Sequence, residues 1–144
     1  MAKYYIVSGG FDPIHEGHIS LIKASAENSD GVIVLVNSDD WLMRKKGRAF
    51  QNINTRKCIC QNIKGVIEAV EFNDSDDSAS AGIRDIRNKY PYDELVFANG
   101  GDRGAGNIRE DAVCKECNVQ LAFGVGGSNK ANSSSWLLDK WNKK

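Results

Sequence analysis

Short apolar segments rich in valine and isoleucine recur along the chain, separated by longer stretches of mixed polarity. Their length and nearly continuous apolar character are typical of strands buried on both faces of a parallel sheet. A weaker segment of the same kind lies at Ala69–Phe72. We therefore predict four strands, at Tyr4–Ser8, Gly31–Asn37, Glu94–Asn99 and Val119–Val125. The weaker segment at Ala69–Phe72 predicts a fifth.

The longer stretches carry apolar residues every three or four positions, which is the spacing of amphipathic helices. One such stretch, Asn54–Val70, is predicted as a single helix. Strands that alternate with helices predict right-handed βαβ units. We therefore predict the α/β class: one domain over residues 1–144, with a Rossmann-like doubly wound parallel sheet of about five strands and helices on both faces.

Composition narrows the possible partners. The 19 basic and 19 acidic side chains give a formal net charge of zero, so the chain as a whole does not attract nucleic acid or an anionic membrane. No apolar run approaches the roughly 18 residues that cross a bilayer, and the N-terminus resembles a strand rather than a signal peptide. We expect a cytoplasmic protein. The four cysteines favour free thiols over a zinc site, because no further Cys or His stands at ligand spacing.

The loop after the first predicted strand carries the strongest chemical signal. Ligands bind beyond the carboxyl ends of the strands in such sheets. Gly9 and Gly10 let the backbone approach a ligand, and His15 and His18 stand at the start of the next helix. A helix N-terminus attracts phosphate, and imidazoles can donate to its oxygens. The alternative is that one histidine caps the helix while the other packs against the sheet.

The string G-x-F-D-x-x-H-x-G-H at residues 9–18 resembles the H-x-G-H signature of the cytidylyltransferase-like nucleotidyltransferases. The resemblance looks greatest to heptose 1-phosphate adenylyltransferases and glycerol-3-phosphate cytidylyltransferases. It implies catalytic contacts from His15 and His18 to a nucleoside triphosphate. It also implies Mg²⁺ as the companion of that triphosphate, with no protein residue assigned as a metal ligand. Nucleotide-binding roles follow for Gly9, Gly10, Phe11, Asp12 and Gly17.

The segment after the second strand is similar to the same family. Without the resemblance, residues 44–48 would be a solvated basic turn. With it, Lys46, next to Gly47, corresponds to a catalytic lysine in a mobile loop, and Asp39 to an acidic residue that binds substrate. Arg56 corresponds to a catalytic arginine near the triphosphate. The alternative for Arg56 is an ordinary surface residue at a helix start.

Two further loops complete the resemblance. Gly100 and Asp102 match a nucleotide-binding G-G-D element, in which Asn99 replaces the usual lysine. A serine triplet near the C-terminus resembles the family's second hallmark, although capping alone could explain it. The resemblance implies nucleotide binding by the triplet and substrate binding by the nearby cation. These residues are Ser133, Ser134, Ser135 and Lys130.

Together these motifs predict an enzyme that transfers AMP or CMP from a nucleoside triphosphate to a phosphomonoester, such as a sugar phosphate or glycerol 3-phosphate, and releases pyrophosphate. The expected partners are these two small molecules, without nucleic acid or membrane, in a homodimer. The alternative is a nucleotide-binding or regulatory module of the same fold that has lost turnover. The sequence leaves the choice between ATP and CTP open.

Overall fold

The computed structural model describes residues 1–100, 109–126 and 134–142, and the side chains of residues 134–136 and 142 lie outside the description. Five described strands form one parallel sheet in the order β3-β2-β1-β4-β5. The strands are β1 Lys3–Gly9, β2 Gly31–Val36, β3 Val66–Glu71, β4 Glu94–Ala98 and β5 Gln120–Ala122. This order confirms the predicted α/β class and Rossmann-like sheet.

Helices connect the strands in the predicted alternation. Ser38 caps the second helix by accepting a hydrogen bond from the Trp41 amide. This helix extends to Lys46, so the first part of the predicted basic turn at residues 44–48 is helical. The six described helices are α1 Glu16–Glu27, α2 Asp39–Lys46, α3 Ile53–Gln61, α4 Ser80–Lys89, α5 Asp111–Glu116 and α6 Ser134–Asn142. Among them, none is long and apolar enough to cross a membrane.

The central strand β2 explains why helices cover both faces of the sheet. All six of its residues are buried, and successive side chains point to opposite faces. Ile33 and Leu35 join a cluster with residues of α4 and α5, whereas Val32, Val34 and Val36 join a second cluster with residues of α1 and α3. Every residue of β2 must therefore be apolar or small, because alternate side chains pack into separate cores on the two faces of the sheet.

The prediction of one helix over Asn54–Val70 is wrong. Helix α3 ends at Gln61, Gly65 turns the chain with a φ of 94°, and Val66 begins β3. Apolar residues on both sides of this turn happen to keep a helical spacing, so periodicity alone did not reveal the break. The weak fifth strand predicted at Ala69–Phe72 is real, but it begins at Val66 and ends at Glu71.

The strand order places the switch point of the sheet beside β1. The chain runs from β1 outward through β2 to β3, and then returns to the other side of β1 as β4. The loops that leave β1 and β4 therefore diverge, which opens a crevice at the carboxyl ends of the two strands. Gly9 and Gly10 lie at this crevice, and so does Gly100.

We expect Gly65→Ala to lower the free energy of unfolding more than Gly47→Ala. Both glycines have positive φ, which costs an alanine roughly 1–2 kcal/mol. A Cβ at Gly65 would also lie 2.6 Å from the Ala26 Cβ, whereas a Cβ at Gly47 meets nothing within 4 Å. Crowding should add about 1–3 kcal/mol at Gly65 alone. Urea unfolding measures both variants, and equal losses would contradict the crowding.

Candidate active site

The loop between β1 and α1 is tightly packed at its glycines. A Cβ on Gly9 would lie 3.2 Å from the Phe11 ring, and one on Gly10 would lie 3.2 Å from the Leu42 side chain. Phe11 itself is buried and has a φ of 52°, a left-handed conformation that is uncommon outside glycine. A side chain at either glycine would crowd these neighbours, and contact of the loop backbone with a ligand stays a prediction.

His15 and His18 cap helix α1 together. His15 is the N-cap residue, and its Nδ1 accepts a hydrogen bond of 3.0 Å from the Gly17 amide. The Nδ1 of His18 accepts one of 3.1 Å from the His15 amide. Gly17 makes this possible, because a Cβ there would lie 2.8 Å from the His15 ring. The capping half of the alternative is thus confirmed, and it applies to both histidines rather than to one.

In each histidine the cap of α1 uses Nδ1. A neutral imidazole whose Nδ1 accepts a hydrogen bond carries its proton on Nε2, where it is a donor. His18 is in this state, because its pKa is lowered to about 3, and the centroids of the His15 and His18 rings lie 3.9 Å apart. The edge-to-face contact between Phe11 and His18, with centroids 4.8 Å apart, further fixes the His18 ring. An Nε2 donor held at a helix N-terminus suits a phosphoryl oxygen.

The electrostatic surroundings of His18 favour its neutral form. Burial, and then the charges of His15 and Lys46, lower the pKa of His18 to about 3. Desolvation also lowers the pKa of Lys46, and nearby Asp12 opposes this effect. The structure therefore brings Lys46, at the end of α2, close to His18 at the start of α1. The resemblance implies such a position. An anion bound there would relieve the repulsion among these groups.

Arg56 is fully buried, so the alternative of an ordinary surface residue is wrong. Its guanidinium donates to the Gly10 carbonyl at 2.9 Å, the Asn37 carbonyl at 2.6 Å and the Gln51 carbonyl at 2.9 Å. It also pairs with the Asp39 carboxylate at 2.6 Å. Arg56 thus ties together the loops after β1 and β2 and the start of α3, and its contact with triphosphate stays a prediction.

Asp12 and Asp39 also hold this framework together. The buried carboxylate of Asp12 accepts hydrogen bonds from the Phe50 amide at 2.6 Å and the Gln51 amide at 2.7 Å. Asp39 is the partner of Arg56. The described hydrogen bonds of both carboxylates are to other groups of the protein. Direct contacts of Asp12 with nucleotide and of Asp39 with substrate therefore stay predictions.

Asp74 is a site residue that the sequence reasoning missed. Its buried carboxylate accepts hydrogen bonds from the Asn37 side chain at 3.0 Å, the Ser38 amide at 2.8 Å and the Ser38 hydroxyl at 2.7 Å. Arg44 of α2 donates to the Asp74 carbonyl and to Asp77. Asp74 therefore holds the start of α2, the helix that carries Lys46. In the sequence, Asp74 is marked only by its place in an acidic loop after β3.

The remaining predicted residues are described in part. A Cβ on Gly100 would lie 3.1 Å from the Val125 carbonyl, so the segments that follow β4 and β5 meet there. Helix α6 begins within the serine triplet, in agreement with the predicted helix start. Asp102, Lys130 and Ser133 lie outside the described residues, as do the side chains of Ser134 and Ser135, and their binding roles stay predictions.

Protein ligands for a metal ion were not predicted. Within residues 1–100, 109–126 and 134–142, no group of three or more His, Cys, Asp or Glu is arranged to hold a metal. The nearby carboxylates of Asp12 and Asp39 are engaged by the Phe50 and Gln51 amides and by Arg56. The described residues thus offer no complete ligand set for Mg²⁺.

Comparison with known proteins identifies the family of this chain. Residues 6–112 match the cytidylyltransferase-like family, so the chain belongs to this family of nucleotidyltransferases. The bifunctional protein HldE of Haemophilus influenzae is 33% identical over 112 residues, which are 69% of this chain and 24% of that protein. The glycerol-3-phosphate cytidylyltransferase of Bacillus subtilis is 31% identical over 68 residues, which are 47% of this chain and 53% of that enzyme.

Solved structures support the fold. The lipopolysaccharide core biosynthesis protein of Thermoplasma volcanium GSS1 has a TM-score of 0.63 and 20% identity, and the match covers 85% of this chain and 96% of that one. A putative nicotinate-nucleotide adenylyltransferase of Vibrio parahaemolyticus has a TM-score of 0.63 and 16% identity, covering 96% and 86%. The chain spans about a quarter of the length of HldE, so the activity of that whole protein does not transfer directly.

We expect the free energy of unfolding to fall below about pH 6.5 partly because of His18. The unfolded histidine takes up a proton near pH 6.5, whereas the lowered pKa keeps the folded one neutral down to about pH 3. The unfolded state binds more protons in this window, so lower pH destabilises the fold by up to about 1.4 kcal/mol per pH unit.

His18→Asn isolates this effect, because the asparagine amide oxygen can replace Nδ1 as the capping acceptor but does not titrate. Urea unfolding from pH 7 to pH 4 should give a smaller slope for this variant than for the wild-type protein. Parallel curves would show that His18 titrates normally in the folded state.

Proposed function

We propose that this chain transfers a nucleoside monophosphate, AMP or CMP, from a nucleoside triphosphate to a phosphomonoester and releases pyrophosphate. The observation that carries the proposal is the pair of histidines that cap α1, with the Nε2 donor of His18 at the helix N-terminus and Lys46 nearby. Membership of the cytidylyltransferase-like family supports it. The names of the relatives support both cytidylyl and adenylyl transfer, so the base stays open.

In this reaction an oxygen of the acceptor phosphate attacks the α-phosphorus in line. The new O–P bond forms as the bond from the α-phosphorus to the bridging oxygen of the β-phosphate breaks, and pyrophosphate leaves with that electron pair. A phosphate monoester is already ionised near neutral pH, so the acceptor requires no general base. Catalysis then depends on positioning and on stabilisation of the spreading negative charge.

Each part of the site has a task in this proposal. The Nε2 proton of His18 donates to a phosphoryl oxygen, and His15, beside it at the start of α1, contacts the phosphates as the resemblance implies. Lys46 neutralises charge on the phosphates. Arg56 and Asp12 keep the loops in place through the contacts described above. Mg²⁺ bound with the triphosphate would neutralise further phosphate charge.

The two ring nitrogens of His18 can be tested separately. We expect His18→Asn to keep the cap and lose the Nε2 donor, which should lower kcat by on the order of 10²–10³. His18→Gln places an amide donor near the Nε2 position but loses the cap acceptor, at a cost of about 0.5–2 kcal/mol in stability. Its kcat should therefore exceed that of the asparagine variant.

The measurements are pyrophosphate release and urea unfolding for both variants and the wild-type protein. A near-wild-type rate for His18→Asn would contradict a phosphate contact from Nε2. Loss of stability in His18→Asn equal to that in His18→Gln would contradict the separate use of the two nitrogens.

The reaction itself is tested by pyrophosphate release with Mg²⁺. ATP, CTP, GTP and UTP are each crossed with sugar 1-phosphates, glycerol 3-phosphate, phosphocholine, phosphopantetheine and nicotinamide mononucleotide. We expect release that requires one triphosphate and one acceptor together. Nucleotide binding without release across the whole panel would favour the binding module instead. The proposed homodimer is tested by sedimentation at micromolar concentration, where a monomer would contradict it.

A further inference from the structure

Helix α2 carries Lys46 at its end and packs against the loop between β1 and α1. A Cβ on Gly10 of that loop would lie 3.2 Å from the Leu42 side chain and 3.3 Å from the Trp41 ring. Leu42 is the only buried residue of α2, and Lys46, four positions later, lies on the same face of the helix. Because both apolar contacts meet at Gly10, other contacts are needed to fix the rotation of α2 and with it the direction of Lys46.

The start of α2 is bound by the buried carboxylate of Asp74. One carboxylate oxygen accepts a hydrogen bond of 2.7 Å from the Ser38 hydroxyl. The other accepts hydrogen bonds from the Ser38 amide at 2.8 Å and from the Asn37 side chain at 3.0 Å. The Ser38 hydroxyl also caps the helix, since it accepts a hydrogen bond of 3.0 Å from the Trp41 amide. Asp74 therefore fixes the residue from which the first turn of α2 begins.

The other side of α2 is bound through Arg44. Its Nη2 donates to the Asp74 carbonyl at 2.9 Å, and its Nε and Nη2 donate to one Asp77 carboxylate oxygen at 3.2 and 3.0 Å. The Asp77 amide donates to the same Asp74 carbonyl at 2.9 Å, so residues 74–77 form one turn, the acidic turn. Side chains two residues apart on a helix differ in direction by about 200°, so Arg44 and Lys46 point to opposite sides of α2.

The acidic turn is itself attached to a second part of the fold. Arg109, just before α5, donates to the Asp76 carbonyl at 3.2 Å. The buried carboxylate of Glu110 accepts a hydrogen bond of 2.8 Å from the Ala79 amide, at the start of α4. The acidic turn is thus bound to α2 on one side and to the segment before α5 on the other, so it offers α2 a fixed support.

We propose that the acidic turn is a positioning element for Lys46. Asp74 sets the start of α2 through Ser38, and Asp77 sets the rotation of the helix through Arg44. Neither aspartate touches a ligand in this role, because both act through the helix that carries the lysine. The assignment rests on the proposed function, and it adds residues that control phosphate binding from outside the phosphate site.

Three variants test the contact between Arg44 and Asp77. Arg44→Gln and Asp77→Gly each remove it, and glycine adds no strain at position 77 because the φ there is 64°. Asp77→Asn is the conservative variant, since asparagine also adopts this conformation and keeps an oxygen that accepts from Arg44. Arg84→Gln is the matched control, because Arg84 makes a similar exposed pair with Glu116 at 2.9 Å, between α4 and α5.

The measurements are the Kd of ATP and of CTP with Mg²⁺, by isothermal titration calorimetry, and kcat from pyrophosphate release. We expect Arg44→Gln and Asp77→Gly each to raise the triphosphate Kd about tenfold and to lower kcat at least as much, because Lys46 is displaced. Asp77→Asn should change the Kd by less than about threefold, and Arg84→Gln should leave it unchanged. Urea unfolding should give similar midpoints for all four variants, as for other exposed ion pairs.

The direction of the change separates positioning from a long-range effect of charge. Loss of the Arg44 charge would weaken the binding of an anion, whereas loss of the Asp77 charge would strengthen it. Displacement of Lys46 weakens binding in both variants. A higher Kd in Arg44→Gln together with a lower Kd in Asp77→Gly would therefore overturn the proposal, and so would an unchanged Kd in both.

A double-mutant cycle tests whether Arg44 acts through Lys46. The two further variants are Lys46→Gln and the double variant Arg44→Gln/Lys46→Gln. Once the lysine is absent, the added Arg44→Gln change should alter the Kd by less than about twofold. The same tenfold loss with and without Lys46 would show an effect on the rest of the site and overturn the proposal.

Failure of the proposed function is distinguishable from failure of this assignment. A wild-type protein that binds a triphosphate, but releases no pyrophosphate with any acceptor, would contradict the proposed transfer. The Kd values of the cycle require no turnover, so coupling between Arg44 and Lys46 would then still support the positioning. Release of pyrophosphate by the wild-type protein without such coupling would support the transfer and overturn the positioning.

Discussion

The buried guanidinium of Arg56 is the interaction on which the geometry of the candidate site depends. A buried cation is costly unless hydrogen bonds replace its lost hydration. Arg56 meets this condition with three backbone carbonyls and the Asp39 carboxylate, at distances of 2.6–2.9 Å. Because those carbonyls belong to the loop after β1, the loop after β2 and the segment before α3, Arg56 converts three loops into one rigid unit.

Two buried carboxylates complement this cation, because they accept hydrogen bonds where the arginine donates them. Asp12 accepts from the amides of Phe50 and Gln51, and Asp74 accepts from Asn37 and Ser38. Loop backbones carry both donors and acceptors that must be satisfied when they are buried. The arginine satisfies carbonyls, while the aspartates satisfy amides. The result is a rigid support for the start of α1 and for α2, the elements that carry the histidines and Lys46.

The sequence was informative where a feature is local and poor where it is formed by distant residues. The apolar run of β2 and the H-x-G-H string are contiguous, so pattern and chemistry identified both. The start of β3 at Val66 was mispredicted because the isoleucines before Gly65 and the valines and isoleucine after it keep a helical spacing. Asp74 could not be found, since its partners stand 36 and 37 residues earlier in the chain and only the sheet brings them together. The burial of Arg56 likewise depends on three separate segments.

The electrostatic arrangement of the free protein also bears on how a triphosphate would bind. Burial and the charges of His15 and Lys46 disfavour the charged form of His18 and lower its pKa to about 3. Bound phosphates reverse this situation, because the same groups then surround an anion and each favours it. The Nε2 proton of His18 is already fixed in place by the cap of α1, so little further ordering of this ring is required when the ligand arrives. Helix capping and phosphate recognition are therefore two consequences of one arrangement of imidazoles.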